Sequence, residues 1–525
     1  MTVQISAPTS ADIAESYRSL GLWDEVGLRN GLERTAEREP DRLAVVDNTS
    51  AWTYGQLRED VEHALGAAVG QGLEPGDAVL LVAPNSYHSV VAFCAILRAS
   101  GVVVALDRRC GSADVAQATE ATAPHLSIAP ASLIAPLGLD QLDVPALGLE
   151  DLSSGSDRID SWDEPDKAAA RIVLFTSGTT SRPKGVVHSL HSFLAGVRNL
   201  GAALGGFGAD DAPFLSSPLA SITGLSQVQL ALCGGHLVLE DDFDARRSLE
   251  LLERYRATML GGAPVILEML FTEYKRQHRP TSSLRTVALG GTMIPRSVLE
   301  VAIDQFGIRP ARVYGSSEAP THTASQPTDP AELAMADDGA PLSGSEISIG
   351  SSEHPSELLV RGPNLFQGYL TSEHNEGAFD AGWFRTGDLA SISGGRLSIE
   401  GRLKEVVARK GVKISLPEID AAVSGYPGAT EWAAFGIPDA VTGERLVLAI
   451  RNDEAEAVTY ESIRDFLLRR GLARGKLPEQ VEVWTTPLPR TASGKLKRDE
   501  LAKEPDPRRR VHLAPHLRST DASSA

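Results

Sequence analysis

Apolar runs alternate along the chain with stretches whose apolar positions recur at helical spacing. LAVVD (43–47) reads as a strand. Thr53 then precedes YGQLREDVEHALGAAV, where the spacing predicts a helix. AVLLVAP (78–84) is a second strand, a helical run reaches Leu97, and VVVAL (102–106) is a third strand. This β-α-β-α-β order predicts an α/β fold of parallel sheets covered by helices. The rhythm returns at RIVLFTSG, GHLVLE, LRTVALGG and ARVYGSSE. From Glu150 to Lys167 Ser and Asp dominate, which reads as a connector. Towards the end, KEPDPRRRVHLAPHLRSTDASSA is rich in proline, charge and small polar residues. Residues 503–525 are therefore expected to be a disordered tail, with Arg508, Arg509 and Arg510 either solvated or a contact patch.

Length adds that the chain, at 525 residues, is too long for one compact core, so two or more domains are expected. A composition 42% hydrophobic and 23% charged excludes a disordered protein. With 50 Lys and Arg against 69 Asp and Glu, the formal charge is −19, which leaves no broad basic field for nucleic acid or an anionic membrane. Cys94, Cys110 and Cys233 form no CxxC pair and support neither a disulfide framework nor a zinc site. The N-terminal segment lacks the basic and apolar regions of a secretory signal, and the most apolar stretch, Val90 to Leu106, is broken by Arg98 and Ser100. No membrane span is expected, and the location is expected to be reduced and cytoplasmic.

Candidate chemistry lies in separate segments. FTSGTTSRPKG (175–185) follows an apolar strand and offers the hydroxyls, backbone N–H groups and lysine that polyphosphate oxygens require. It fails the kinase and GTPase P-loop pattern, because Lys184-Gly185 is followed by Val186. A flexible Ser/Thr loop is the other reading. VYGSSEA (313–319) brings a ring, a glycine turn, hydroxyls and a carboxylate off a strand end. Glu318 suits Mg²⁺ and Tyr314 suits stacking on a base, against a plain β-turn with an exposed carboxylate. In GWFRTGDLA (382–390), Asp388 suits two ribose hydroxyls, although a Gly-Asp turn is also structural on its own. IEGRLKEVVARKGVKISLPEID (399–420) concentrates basic residues, and Gly401 and Gly411 favour a turn and hairpin over a charged helix face. LPRTASGKLKRDEL (488–501) sets Lys495 after Ser493-Gly494, which is a weak signal alone.

The order of these segments, TSGTTSRPKG, YGSSE, RTGDL, GRLKEVVARKG and PRTASGKL, resembles the adenylate-forming superfamily over nearly all of residues 20–500. Acyl- and aryl-CoA ligases, luciferases and peptide-synthetase adenylation domains belong to it. The resemblance implies a large N-terminal domain (1–403) and a smaller, mobile α+β lid (404–502). It also implies ATP and Mg²⁺, with CoA as co-substrate. By it, Thr176, Ser177, Gly178, Thr179, Thr180 and Lys184 match the phosphate loop, with Ser181 where glycine is commoner. Tyr314 and Gly315 match the adenine site, Ser317 stands where threonine is usual, and Glu318 matches the magnesium ligand. Gly290, Gly291 and Thr292 match backbone near adenine and the acyl pocket, and Asp388 and Arg402 match the ribose contacts. Lys404 matches the hinge. Arg409, Lys410 and Gly411 match the thioester loop, and Lys495 matches the lysine that bridges substrate carboxylate and phosphate.

A departure lies at SPLASITGL (217–225), where Ser221 replaces the histidine of many relatives. A missing gate should open or reshape the acyl entrance. Ile222 stands where 2-hydroxybenzoate-activating relatives have asparagine, and the aspartate of amino-acid-activating relatives is missing. With Thr223, Gly291 and Gly315, these positions imply an apolar pocket for a small or medium aromatic, alicyclic or aliphatic acid. The expected activity is an ATP-dependent acid–CoA ligase. Loading of an acyl-carrier protein, an acyl-AMP-dependent oxygenase and a degenerate nucleotide-binding regulator are the alternatives.

Overall fold

The computed structural model describes residues 11–23, 30–153, 159, 168–176, 184–277, 283–291, 294, 296–326, 328–403, 405–409, 412–439, 442–452, 458–490, 496–503, 509–515 and 517. The chain divides into two compact units. The first holds residues 1–353, 359–386 and 392–398, and the second holds 354–358, 387–391 and 399–525.

Two large sheets make up most of the first unit. One runs, edge to edge, through Gly368–Tyr369, Lys184–Ser189, Ala170–Thr176, Val102–Asp107, Ala78–Ala83, Leu126–Ala129 and Ala146–Gly148. Its last five strands are mutually parallel, and the first two pair antiparallel. Strand Ala78–Ala83 is buried at every residue, as a parallel strand covered on both faces must be. The second sheet includes the parallel strands Arg309–Tyr314, Thr286–Gly290, Met259–Gly262, Pro213–Leu215, Leu237–Leu239 and Leu43–Val46. The expected parallel-rich α/β architecture is therefore present.

Local chemistry explains where the covering helices start. Helix Tyr54–Gly70 opens on Thr53, whose backbone N–H donates to Gln56 Oε1 at 2.8 Å while its hydroxyl accepts from Gln56 N at 3.3 Å. That reciprocal box satisfies two donors the helix cannot satisfy internally. Tyr54, Leu57, Val61, Ala64, Leu65 and Ala68 then bury one face.

The second unit is α+β. Its sheet runs through Val412–Ser415, Val406–Arg409, Gly443–Arg451, Gln480–Trp484 and Arg510–Leu513, with Glu431–Asp439 also paired to Gly443–Arg451. Helices Leu416–Val423 and Tyr460–Arg469 pack Ile419, Val423, Ile463 and Leu467 into its core. The hairpin expected between Gly401 and the helix is Val406–Arg409 against Val412–Ser415.

The disordered tail expected from residue 503 is corrected in part. Lys503 closes the helix Arg498–Lys503, and Arg510–Leu513 forms an antiparallel edge strand on Gln480–Trp484, with Ala514 fully buried after it. Edge pairing supplies partners for backbone groups, so a short polar-looking segment is ordered by hydrogen bonds its composition does not reveal. Arg509 is tied to Glu482, at 2.6 Å, and that carboxylate is 1% exposed. Arg509→Ala should therefore cost about 3 kcal/mol, because it strands a buried charge. The double change Glu482→Leu with Arg509→Met should recover most of the loss. Urea unfolding of the three proteins checks this, and an unchanged midpoint for Arg509→Ala would return the segment to solvent.

Candidate active site

The first unit carries its candidate chemistry at strand ends. Strand Ala170–Thr176 turns back into Lys184–Ser189 with Thr176 opposite Lys184 and Phe175 opposite Gly185. The Ser177, Gly178, Thr179 and Thr180 of the expected phosphate loop lie outside the described residues, as does Thr292. On the other edge of Lys184–Ser189, Tyr369 sits opposite Val186. Lys184 is thus diagonal to Tyr369 on the same face, and its ammonium stands 4.6 Å from the ring centre. Gly185 has a packing reason: a Cβ there would lie 2.4 Å from Leu370 Cδ1.

Strand Arg309–Tyr314 delivers the second group. Beyond Tyr314, a Cβ on Gly315 would meet Thr321 N at 2.6 Å, so only glycine fits the turn. The Ser316 hydroxyl accepts from Glu318 N at 3.2 Å and Ala319 N at 3.3 Å, closing it. Glu318 is half-buried, and its Oε1 accepts from the Tyr369 hydroxyl at 2.8 Å. Among the described residues, no hydrogen bond reaches its Oε2.

Two buried histidines hold the surrounding backbone. His188 Nε2 donates to the Ser317 carbonyl at 2.7 Å, and its Nδ1 lies 3.0 Å from Ser192 Oγ. His322 Nε2 donates to the Glu346 carbonyl at 2.9 Å, and its Nδ1 lies 3.3 Å from Asn364 Nδ2. With carbonyls taking the Nε2 protons, the Nδ1 atoms are acceptors, the neutral tautomer in each case.

The remaining expected positions divide. A Cβ on Gly290 would lie 2.5 Å from the Val313 carbonyl, and Gly291 adopts φ +75°. Ser221 is the N-cap of helix Ile222–Ala231, accepting from Gly224 N at 3.0 Å and donating to the Pro218 carbonyl at 2.7 Å. Ile222 is buried in the main core, and Thr223 is exposed. In the second unit, Arg402 Nε donates to Asp388 at 3.0 Å, bringing the two expected ribose contacts together. Gly387 N donates to the buried Glu357 at 3.2 Å beside them. Arg409 ends a strand rather than lying in a loop, and it donates to the carbonyls of Leu477, at 2.9 Å, and Gly475. Lys404, Lys410, Gly411 and Lys495 lie outside the described residues.

Residues 32–370 match the family model described as AMP-binding enzyme, and residues 418–495 match its C-terminal domain. The chain belongs to the AMP-binding enzymes. Its class is AMP-forming acid–thiol ligase. It is 31% identical to a medium-chain fatty-acid–CoA ligase of Escherichia coli, over 93% of this chain and 92% of that one. It is also 30% identical to an oxalate–CoA ligase of Arabidopsis thaliana, over 91% and 99%. In fold, it resembles the o-succinylbenzoate CoA synthetase of Bacillus subtilis bound to its acyl-adenylate, with TM-score 0.82 at 24% identity, over 91% and 98%.

Sequence reasoning missed three residues of this AMP-binding enzyme that touch the expected site: Tyr369, His188 and His322. Tyr369 stands in FQGYL (366–370), where no spacing pattern singles it out. No helix of the described residues is long and apolar enough to cross a membrane.

The histidines make a prediction about acid. Burial pushes both down from the ordinary value to about 4. Between pH 6.5 and pH 4 the unfolded chain therefore binds more protons than the folded one. Stability is full above pH 6.5 and falls as pH drops through that window, by up to ~1.4 kcal/mol per pH unit for each histidine. His188→Gln should flatten the wild-type slope by about that amount. Denaturant titrations at pH 7.5, 6, 5 and 4.5 measure it, and equal slopes would show that His188 is not held neutral.

Proposed function

We propose that this enzyme activates a small or medium apolar carboxylic acid as its acyl-adenylate and passes the acyl group to CoA. In the first half-reaction a carboxylate oxygen attacks the α-phosphorus of ATP, and the bond to pyrophosphate breaks. In the second, the CoA sulfur attacks the acyl carbon, AMP leaves, and the thiol proton passes to solvent. Charge builds on phosphoryl oxygens in the first step, so the chain's task is positioning and electrostatic stabilisation.

The observation that carries the reading is the meeting of Lys184, Tyr369 and Glu318 at the ends of separate strands, inside a family of AMP-binding enzymes. Lys184 supplies an ammonium for phosphate oxygens, with Thr176 opposite it on the neighbouring strand. Tyr314 offers a ring for adenine, with Gly290, Gly291 and Gly315 leaving room for backbone to approach it. Asp388 and Arg402 present a carboxylate and a guanidinium to ribose. Glu318 fits Mg²⁺: it is a hard oxygen donor with one oxygen open. The described residues hold no group of three or more His, Cys, Asp or Glu that would cage a metal unaided. Such a site suits an ion that keeps water and phosphate ligands, and when bound the ion would neutralise phosphate charge.

Lys495 is proposed as the adenylation lysine, Lys404 as the hinge, and Arg409, Lys410 and Gly411 as serving the thioester step. For the acid, support comes from the apolar Ile222 and the missing aspartate. Ser221 is occupied by backbone, so we assign it no direct part in choosing the acid. Transfer to a carrier protein is the second reading, favoured by 28% identity over 95% of this chain to a salicyl-AMP ligase/salicyl-S-ArCP synthetase of Mycobacterium tuberculosis. A cytoplasmic location accords with either acceptor.

Lys495→Ala should lower pyrophosphate exchange by 10²–10³-fold, equivalent to ~3–4 kcal/mol, while thioester formation from supplied acyl-adenylate is largely spared. Equal loss of both half-reactions would remove Lys495 from the adenylation step. Benzoate, cyclohexanecarboxylate and hexanoate should exceed salicylate and phenylalanine in kcat/KM by roughly ten- to hundredfold, since a polar group buried without a partner costs ~1–3 kcal/mol. Pyrophosphate release for this panel, with CoA and with a carrier protein in parallel, tests the acid and the acceptor together.

A further inference from the structure

We propose that Tyr369 is a positioning residue that sets Lys184 and Glu318 at a fixed separation, its ring face serving the lysine and its hydroxyl the carboxylate. This rests on the reading of Lys184 and Glu318 as phosphate-side groups.

The geometry is over-determined. Tyr369 occupies a two-residue edge strand, Gly368–Tyr369, whose register against Val186 and Val187 sends its side chain to the Lys184 face. Leu370 N donates to the Gly185 carbonyl at 2.8 Å and continues that pairing. Phe366 N donates to the Glu318 carbonyl at 2.8 Å, so the segment that carries the tyrosine also holds the backbone of the glutamate. The ring is wedged edge-on against Phe366 at 4.9 Å, and Phe366 in turn packs on Phe384 at 5.0 Å. Tyr369 is 5% exposed, and Asn375 Oδ1 accepts from its backbone N–H at 2.8 Å.

The Tyr369 hydroxyl donates to Glu318 Oε1 at 2.8 Å. It can satisfy one oxygen of Glu318 without taking up negative charge. One carboxylate oxygen is thereby pinned, and the other stays open to a cation. A ring face 4.6 Å from an ammonium orients it without neutralising it, as a carboxylate neighbour would. The tyrosine therefore fixes the ammonium and the carboxylate from one side chain, by its ring face and its hydroxyl.

The two contacts can be separated. Tyr369→Phe keeps the ring and removes the hydroxyl, whereas Tyr369→Leu removes both. Binding of α,β-methylene-ATP by calorimetry, with and without Mg²⁺, reads them independently of turnover. Tyr369→Phe should bind the metal-free analogue within twofold of wild type but need about tenfold more Mg²⁺ to reach full affinity. Tyr369→Leu should also weaken metal-free binding, by three- to tenfold. Thermal midpoints of the variants are measured alongside. If Tyr369→Phe matches wild type in both arms, or loses both equally together with its thermal midpoint, the positioning role is overturned. Glu318→Gln serves as the control. If it leaves the Mg²⁺ requirement of wild type unchanged, the assignment of Glu318 itself fails, whatever Tyr369 does.

Discussion

Strand Lys184–Ser189 is paired on both edges, and the chemistry of the first unit depends on that double pairing. On one side the antiparallel register with Ala170–Thr176 sets Thr176 opposite Lys184 at the mouth of the expected phosphate loop. On the other, Gly368–Tyr369 brings an aromatic ring beneath the same lysine. A slip of one residue on either edge would turn Lys184 to the opposite face. Gly185 guards the register, since any side chain there would drive into Leu370.

Around this strand the structure uses neutral hydrogen bonds where charge would be costly. His188 and His322 are fully buried, and each ties a carbonyl on one side to a side chain on the other. A protonated imidazole in that setting would lose its accepted bond and pay the desolvation of an ion. The turn at Gly315–Ala319 is thus held by uncharged groups.

Among the described residues of the second unit, ion pairs join distant segments. Arg498 joins the start of its helix to Asp420 and Glu405, and Arg409 links its strand to carbonyls near Glu479. Arg509 does the same for the last strand through Glu482. Each pair connects segments far apart in sequence, so the unit's edges are closed by side chains whose partners no local window contains.

The apolar runs determined the strands by themselves: AVLLVA has no polar position to present to solvent, so it is buried along its whole length. Thr53 with Gln56 determined a helix start, because a capping box involves residues three apart. The order of the motifs determined the family, since loop chemistry is carried by contiguous residues. Tertiary structure alone decided the rest. The Tyr369 hydroxyl reaches Glu318 across 51 positions, and His188 reaches the Ser317 carbonyl across 129. Ser221, read from sequence as a changed pocket gate, caps a helix, its hydroxyl accepting from Gly224 N and donating to the Pro218 carbonyl. Arg510–Leu513, read as tail, became a strand because Gln480–Trp484 offered it an open edge. Periodicity and motifs encode what a residue does to its near neighbours. What it does across a sheet is set by register, which exists only once the chain has folded.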